Sequence, residues 1–118
     1  MKLTKEQRKA LHDKYKGHCA YCGCELHDKW HADHLKPIVR NGNKIYLCPE
    51  NDTIDNMMPS CPSCNRMKNS FTLEQFRENI QNFVRSLNNY NIQFKFAKKF
   101  GLIEETGNEI KFYFEEIR

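Results

Sequence analysis

Trp30-His31-Ala32-Asp33-His34 gathers two imidazoles and a carboxylate in one short stretch, and a Cys-x-x-Cys pair flanks it on each side. Cys19 and Cys22 come before it, Cys61 and Cys64 after it. One such pair alone could be a redox dithiol, but two fit a tetrahedral thiolate zinc site better than disulfides or redox chemistry. The pairs stand further apart than in a compact zinc ribbon, so a folded unit must lie between them. Cys24 and Cys48 are left over and read as free thiols. With zinc assigned to the four thiolates, Asp33 and His34 are free to serve a second, harder metal.

Asp33 is followed by Asn56, and Asn65 directly follows Cys64. Carboxylate and amide oxygens suit Mg²⁺ or Mn²⁺, which keep several waters and use few protein ligands plus substrate phosphate. An imidazole beside them, His34, has the chemistry of a general base on an attacking water. Together these groups fit phosphodiester hydrolysis. Arg66 and Lys68 follow Asn65 and are placed to meet backbone phosphates. His31 shares a side with Asp33 if this stretch is a strand. Auxiliary ligand, phosphate contact and polar residue at a cleft edge all stay open for it. His12 and His18 read as surface residues. Lys95, Lys98, Lys99 and Lys111 read as a solvated basic face more than as a grip on DNA.

The elements that must position these groups are legible in part. Thr4 and Gln7 form a capping box, and Leu3, Gln7, Ala10, Leu11 and Tyr15 share one face, giving a helix over 4–16 with Gly17 as its stop. Residues 30–38 read as a short edge strand running into a loop, with Pro37 against a central position. Asn41-Gly42-Asn43 signals a turn, 44–47 at most a brief extended segment, and 48–55 an irregular one. A second short strand is expected at 56–59, then a helix of one or two turns from Cys64 to Lys68 entered through Pro62. Thr72 and Gln75 repeat the capping box ahead of a core stripe of Leu73, Phe76, Ile80, Phe83, Val84 and Leu87. Asn88-Asn89 is expected to break that helix. A weaker helical pattern follows to Gly101. The end reads as a hairpin, 102–106 and 109–115 around Gly107-Asn108, from the alternation of Ile110, Phe112 and Phe114.

The chain's 118 residues suit one α+β domain, and no repeat or linker divides it. A formal charge of +4 is compatible with a polyanionic partner without demanding one. No apolar run approaches the roughly twenty residues of a membrane span. The polar start shows no secretory signal, so a cytoplasmic location is expected.

Cys19-x-x-Cys22, Asp33-His34-x-x-Pro37, Asp55-Asn56 and Cys61-x-x-Cys64-Asn65-x-x-Lys68 strongly resemble the HNH endonucleases, the zinc-containing ββα-metal nucleases, especially small free-standing phage and bacterial members. The likeness covers about residues 19–70, with 71–118 as an extension of helix and hairpin. It implies a ββα-metal core clamped by a four-cysteine zinc site behind an N-terminal helix. His34 would be the general base. Asp33 and Asn65 would hold the catalytic Mg²⁺ or Mn²⁺, and Asn56 would pin the loop that orients His34. Lys68 matches the family pattern. The implied substrate is double-stranded DNA, cut to a 5′-phosphate and a 3′-hydroxyl. Two features depart from the pattern: Asn65 stands where many members have His, and the 39–55 loop is long. Neither oligomeric state nor recognition sequence can be read. The rivals are a non-catalytic zinc-ribbon module binding nucleic acid or protein, and a cytosolic dithiol redox protein. The first leaves Asp33, His34, Asn56 and Asn65 as coincidence.

Overall fold

The structure is a computed structural model and describes residues 2–117. Helix α1 spans Lys5–Asp13, capped by Thr4 and Gln7 in the reciprocal box that the sequence predicts. It stops earlier than expected, and a turn carries the chain to the first cysteine pair. Strand β1, His31–His34, pairs antiparallel with β4, Met57–Ser60. Their register sets Asp33 opposite Met58 and His34 opposite Met57. Helix α2, Pro62–Lys68, follows β4 directly and completes a ββα unit. Pro59 is tolerated in β4 because this sheet has only two strands, so every strand is an edge.

The loop between β1 and β4 carries structure of its own. Val39–Asn41 (β2) and Lys44–Leu47 (β3) form a second antiparallel pair, and two single 3₁₀ turns follow, Pro49–Asn51 and Ile54–Asn56. Gly42 takes φ of +64° as the first residue of the tight turn, a conformation that favours glycine.

Helix α3, Leu73–Tyr90, runs through Asn88-Asn89 rather than breaking there. The Asn88 amide donates to the Val84 carbonyl and also meets Glu105, which satisfies it within the helix. The break falls at Asn91, whose side chain accepts from the Phe94 N–H and starts helix α4, Ile92–Lys99. The apolar stripe of α3 is core only in its first half. Phe76 is buried, whereas Phe83 and Val84 are 42% and 38% exposed. The helix outruns the domain it docks on.

The expected C-terminal hairpin is not formed. Among the described residues no strand follows β4; the chain runs irregularly over 102–112 and ends in a short helix, Tyr113–Glu116 (α5). The alternating residues find a different partner. Phe112 is buried, Ile110 and Phe114 pack on the same core, and the N–H groups of Tyr113 and Phe114 donate to the carbonyls of Tyr21 and Ala20. The cysteine knuckle thus takes the hydrogen bonds a second strand would have taken. Tyr113 also lies so close to Gly23 that a Cβ there would stand 2.6 Å from its ring.

One core joins these parts: Leu11, Tyr21, Leu26, Trp30, Met57, Met58, Phe76 and Phe112. Tyr21 sits edge-on to Phe76 and Phe112, each 5.8 Å away between centroids, and those two rings stack on each other at 5.2 Å. Such pairs add about 0.5–1.5 kcal/mol each beyond the area they bury. Arg77 of α3 fastens the C-terminal segment over this cluster. Its guanidinium bonds the Glu115 carboxylate through two nitrogens, donates to the Ile110 carbonyl at 2.6 Å, and lies 4.7 Å over Phe112.

Arg77→Ala should therefore cost about 1 kcal/mol, the scale of a partly exposed pair with good geometry. It should speed amide exchange at Tyr113 and Phe114 without loss of bound zinc. The bonds from Arg77 hold the Glu115 carboxyl below its ordinary 4.5, so its contribution exists above that value and fades as pH falls below it. A Glu115→Gln variant should accordingly differ from wild type in thermal midpoint at neutral pH and converge with it in acid.

Candidate functional site

Two clusters arise from the ββα unit and its knuckle. In the first, Cys19 and Cys22 lie on a tight turn closed by bonds from the Cys19 N–H to the Cys24 carbonyl and from the Gly23 N–H to the Cys19 carbonyl. Cys61 caps α2, accepting from the Cys64 N–H, so the second pair is carried by the helix start. The four sulfurs lie within 4.8 Å of one another. Zinc–thiolate bonds of about 2.3 Å at tetrahedral angles place sulfurs about 3.8 Å apart. Cys22 and Cys61 stand at 3.8 Å. The donor set and spacing are consistent with a zinc site. A bond from the Cys64 thiol draws Cys19 down to about 4 and pushes Cys64 up, a proton shared where a cation fits. Cys24 lies outside the cluster. Burial, then the neighbouring Cys22 thiol, push it up to about 12, so it remains a neutral thiol.

The second cluster centres on Asp33, which is only 5% exposed. The Tyr21 hydroxyl donates to its Oδ2 at 2.5 Å, and Lys68 Nζ stands 3.2 Å from the same oxygen. Burial, then the charge of Asp33, raise the Tyr21 phenol far above its ordinary value and keep it a donor. Asn65 Nδ2 donates to Oδ1 at 3.1 Å. With Oδ2 taken twice, Oδ1 and the Asn65 carbonyl oxygen are the hard donors left on the cleft side. That pair fits a divalent cation that keeps most of its waters.

The sequence reading puts Lys68 at backbone phosphates, and the fold corrects this. Lys68 is fully buried, and its ammonium donates to the His34 carbonyl at 2.7 Å while pairing Asp33. A long cation at the inner face of so short a helix reaches the carboxylate before it reaches solvent. Arg66, two residues earlier and so on the far side of the helix from Lys68, is exposed and lines the cleft. His31 is exposed at the start of β1 and is not among the residues lining the cleft.

His34 ends β1, and its Nε2 lies 2.8 Å from Asp52 Oδ1. A carboxylate at that distance accepts, so Nε2 carries a proton, and the tautomer with a free lone pair is the one that has it on Nδ1. Asn56 Oδ1 accepts from the Lys36 N–H, and its Nδ2 donates to the carbonyls of Lys36 and Asn51. One side chain thereby ties the segment after His34 to the segment before Asp52. Asp33, His34 and Asn65 share an open cleft of about 480 Å³ with Pro37, Ile38, Val39, Arg40, Arg66, Asn69 and Ser70.

Sequence reasoning missed two members of this site. Tyr21 stood unremarked between Cys19 and Cys22, and only the packing shows that its ring belongs to the core while its hydroxyl reaches Asp33. Asp52 lay in a loop with no assigned role; an acid within an Asn-Asp-Thr turn carries no signal of its own.

Residues 19–71 match the family model described as HNH endonuclease. Comparison with curated proteins gave no match, and comparison with solved structures gave none. Among the described residues, no helix is long and apolar enough to cross a membrane.

Cys61→Ser should lose stoichiometric zinc and cooperative unfolding together, since structural zinc contributes folding free energy outright. Metal analysis beside a thermal melt would show both. Lys68→Met leaves Asp33 buried without its cation, and its expected cost is about 3–5 kcal/mol by denaturant titration.

Proposed function

We propose, from the premise that residues 19–71 form an HNH endonuclease domain, that the chain is a metal-dependent DNA endonuclease. It would hydrolyse phosphodiester bonds of double-stranded DNA and leave 5′-phosphate and 3′-hydroxyl ends. One observation carries this reading: Asp33 bonded to Asn65 stands beside an imidazole held by Asp52, all reached through one open cleft. A non-catalytic zinc module has no use for that arrangement. A reducing, cytoplasm-like compartment suits a chain whose four clustered cysteines would bind metal as thiolates and whose Cys24 and Cys48 stay unbridged.

Asp33 and Asn65 would hold Mg²⁺ or Mn²⁺, which supplies Lewis acidity to the phosphoryl oxygens and steadies the leaving 3′-oxygen. His34 takes the proton of the attacking water at Nδ1. Asp52 fixes the tautomer that leaves Nδ1 unprotonated and favours the imidazolium that forms, the role a carboxylate plays behind a catalytic histidine. Tyr21 and Lys68 hold Oδ2 of Asp33, which leaves Oδ1, shared only with the Asn65 amide, as the ligating oxygen. Asn56 holds the backbone on both sides of the His34–Asp52 pair, so the base keeps its aim without help from substrate.

Purified protein should nick or linearise plasmid DNA with Mg²⁺ or Mn²⁺ and stop on chelation. His34→Ala should lose on the order of 10²–10⁴-fold in rate with zinc and melting point retained. Asp52→Asn should lose less, in kcat rather than KM, because it disturbs orientation and not contact with DNA. Equal rates for wild type and His34→Ala across divalent metals would overturn the catalytic reading.

A further inference from the structure

The cleft has a second wall that the chemistry above leaves without a task. Opposite Asn65 and Arg66 run Pro37, Ile38, Val39 and Arg40, the root of the β2–β3 hairpin. Arg40 and Arg66 are both exposed, and among the described residues neither makes an ion pair or a side-chain hydrogen bond. Other arginines are used by the fold: Arg8 lies 4.0 Å over Trp30 and donates to its carbonyl, and Arg77 holds Glu115. The one carboxylate lining the cleft is Asp33, and Lys68 already compensates its charge. The cleft rim therefore carries one unpaired cation from the hairpin and one from α2, with no carboxylate left among the described lining residues to neutralise either.

The hairpin itself makes little sense as fold. Its register is fixed by the Gly42 turn and its root by buried Ile38 and the Asn51 amide on the Pro37 carbonyl. Beyond that root it is open to solvent, with Tyr46 and Leu47 60% and 52% exposed. Ordering such a segment costs backbone entropy at every residue, with almost no burial to offset it. Arg40 thus stands on an anchored strand at the cleft edge, two residues from a buried anchor.

We propose that the β2–β3 hairpin is a substrate arm, and that Arg40 grips a backbone phosphate beside the scissile one, across the cleft from Arg66. The occupant is a nucleic-acid backbone, because a guanidinium fork matches phosphate oxygens and repeated phosphates satisfy cations on both walls at once. This rests on the nuclease reading but adds a binding element outside the catalytic groups.

Binding is measured by fluorescence anisotropy on a short labelled DNA duplex, with Ca²⁺ in place of Mg²⁺ to suppress cleavage, across a salt series. Arg40→Ala should weaken binding about tenfold and lower the slope of log Kd against log salt by about one. Arg40→Lys should restore the slope, since any cation displaces a counterion, while recovering affinity only in part. Lys9→Ala removes a cation that Asp13 already neutralises, and it should leave slope and affinity unchanged. Zinc content and circular dichroism exclude unfolding as the cause. Wild-type slope and affinity in Arg40→Ala would overturn the arm while leaving cleavage intact as a separate result. Failure of wild type to bind any duplex would overturn the arm and the nuclease reading together. Tight, Arg40-dependent binding without cleavage in Mg²⁺ or Mn²⁺ would support the arm and sink only the catalysis.

Discussion

A buried carboxylate is the constraint around which this protein is arranged. Asp33 retains only 5% of its exposure, and an ionised group so placed loses hydration worth several kcal/mol unless neighbours replace it. Three do, from two other elements. Tyr21 comes from the cysteine knuckle, and Asn65 and Lys68 come from one face of α2, one turn apart. Satisfying Asp33 therefore fixes knuckle, strand and helix relative to one another. The same bonds treat the two carboxylate oxygens differently: Oδ2 has two partners and Oδ1 only the Asn65 amide. Lys68 adds a second constraint by holding the His34 carbonyl, so the buried ion pair also sets the end of β1.

The thiolate cluster bears on the same point from outside. Its pairs come from the knuckle and from the start of α2, the two elements that deliver Tyr21, Asn65 and Lys68. A domain this small has a modest core, and a four-cysteine cluster is the kind of site where a structural metal can add what burial alone does not. Tyr21 joins the two systems. Its backbone lies between two cysteines of the candidate zinc cluster, its ring is at the centre of the Phe76 and Phe112 cluster, and its hydroxyl is on Asp33. Distortion at the thiol cluster would reach the carboxylate through one rigid side chain.

Chemistry that depends on residue type at fixed local spacing was legible in the sequence. The cysteine pairs, both capping boxes, the two strands of the ββα unit and the convergence of Asp33 with Asn65 all belong to this class. What escaped depended on which distant group a residue would meet. Ile110, Phe112 and Phe114 alternate as a strand does, but the knuckle carbonyls of Ala20 and Tyr21 were the better acceptors. Phe83 and Val84 keep the period of a core face, yet α3 extends past the surface that could cover them. Lys68 looks like any lysine on a short helix until the helix is seen to end against Asp33. Periodicity reports that a residue has an apolar or paired side; it does not report whether a partner will be there.

The order of parts along the chain carries a last consequence. The hairpin grows from the segment between His34 and Asp52, so the proposed substrate arm is rooted inside that hydrogen-bonded pair. Asn56 braces both roots by bonding Lys36 on one side and Asn51 on the other. Without that brace, a load on the arm would swing Asp52 against His34. With it, the arm can follow a flexible polyanion while the imidazole stays fixed in the cleft beside Asp33. A long loop at this point is compatible with a fixed site because one asparagine closes it from beneath. The stiffness of the site and the freedom of the hairpin are thus two results of the same three hydrogen bonds.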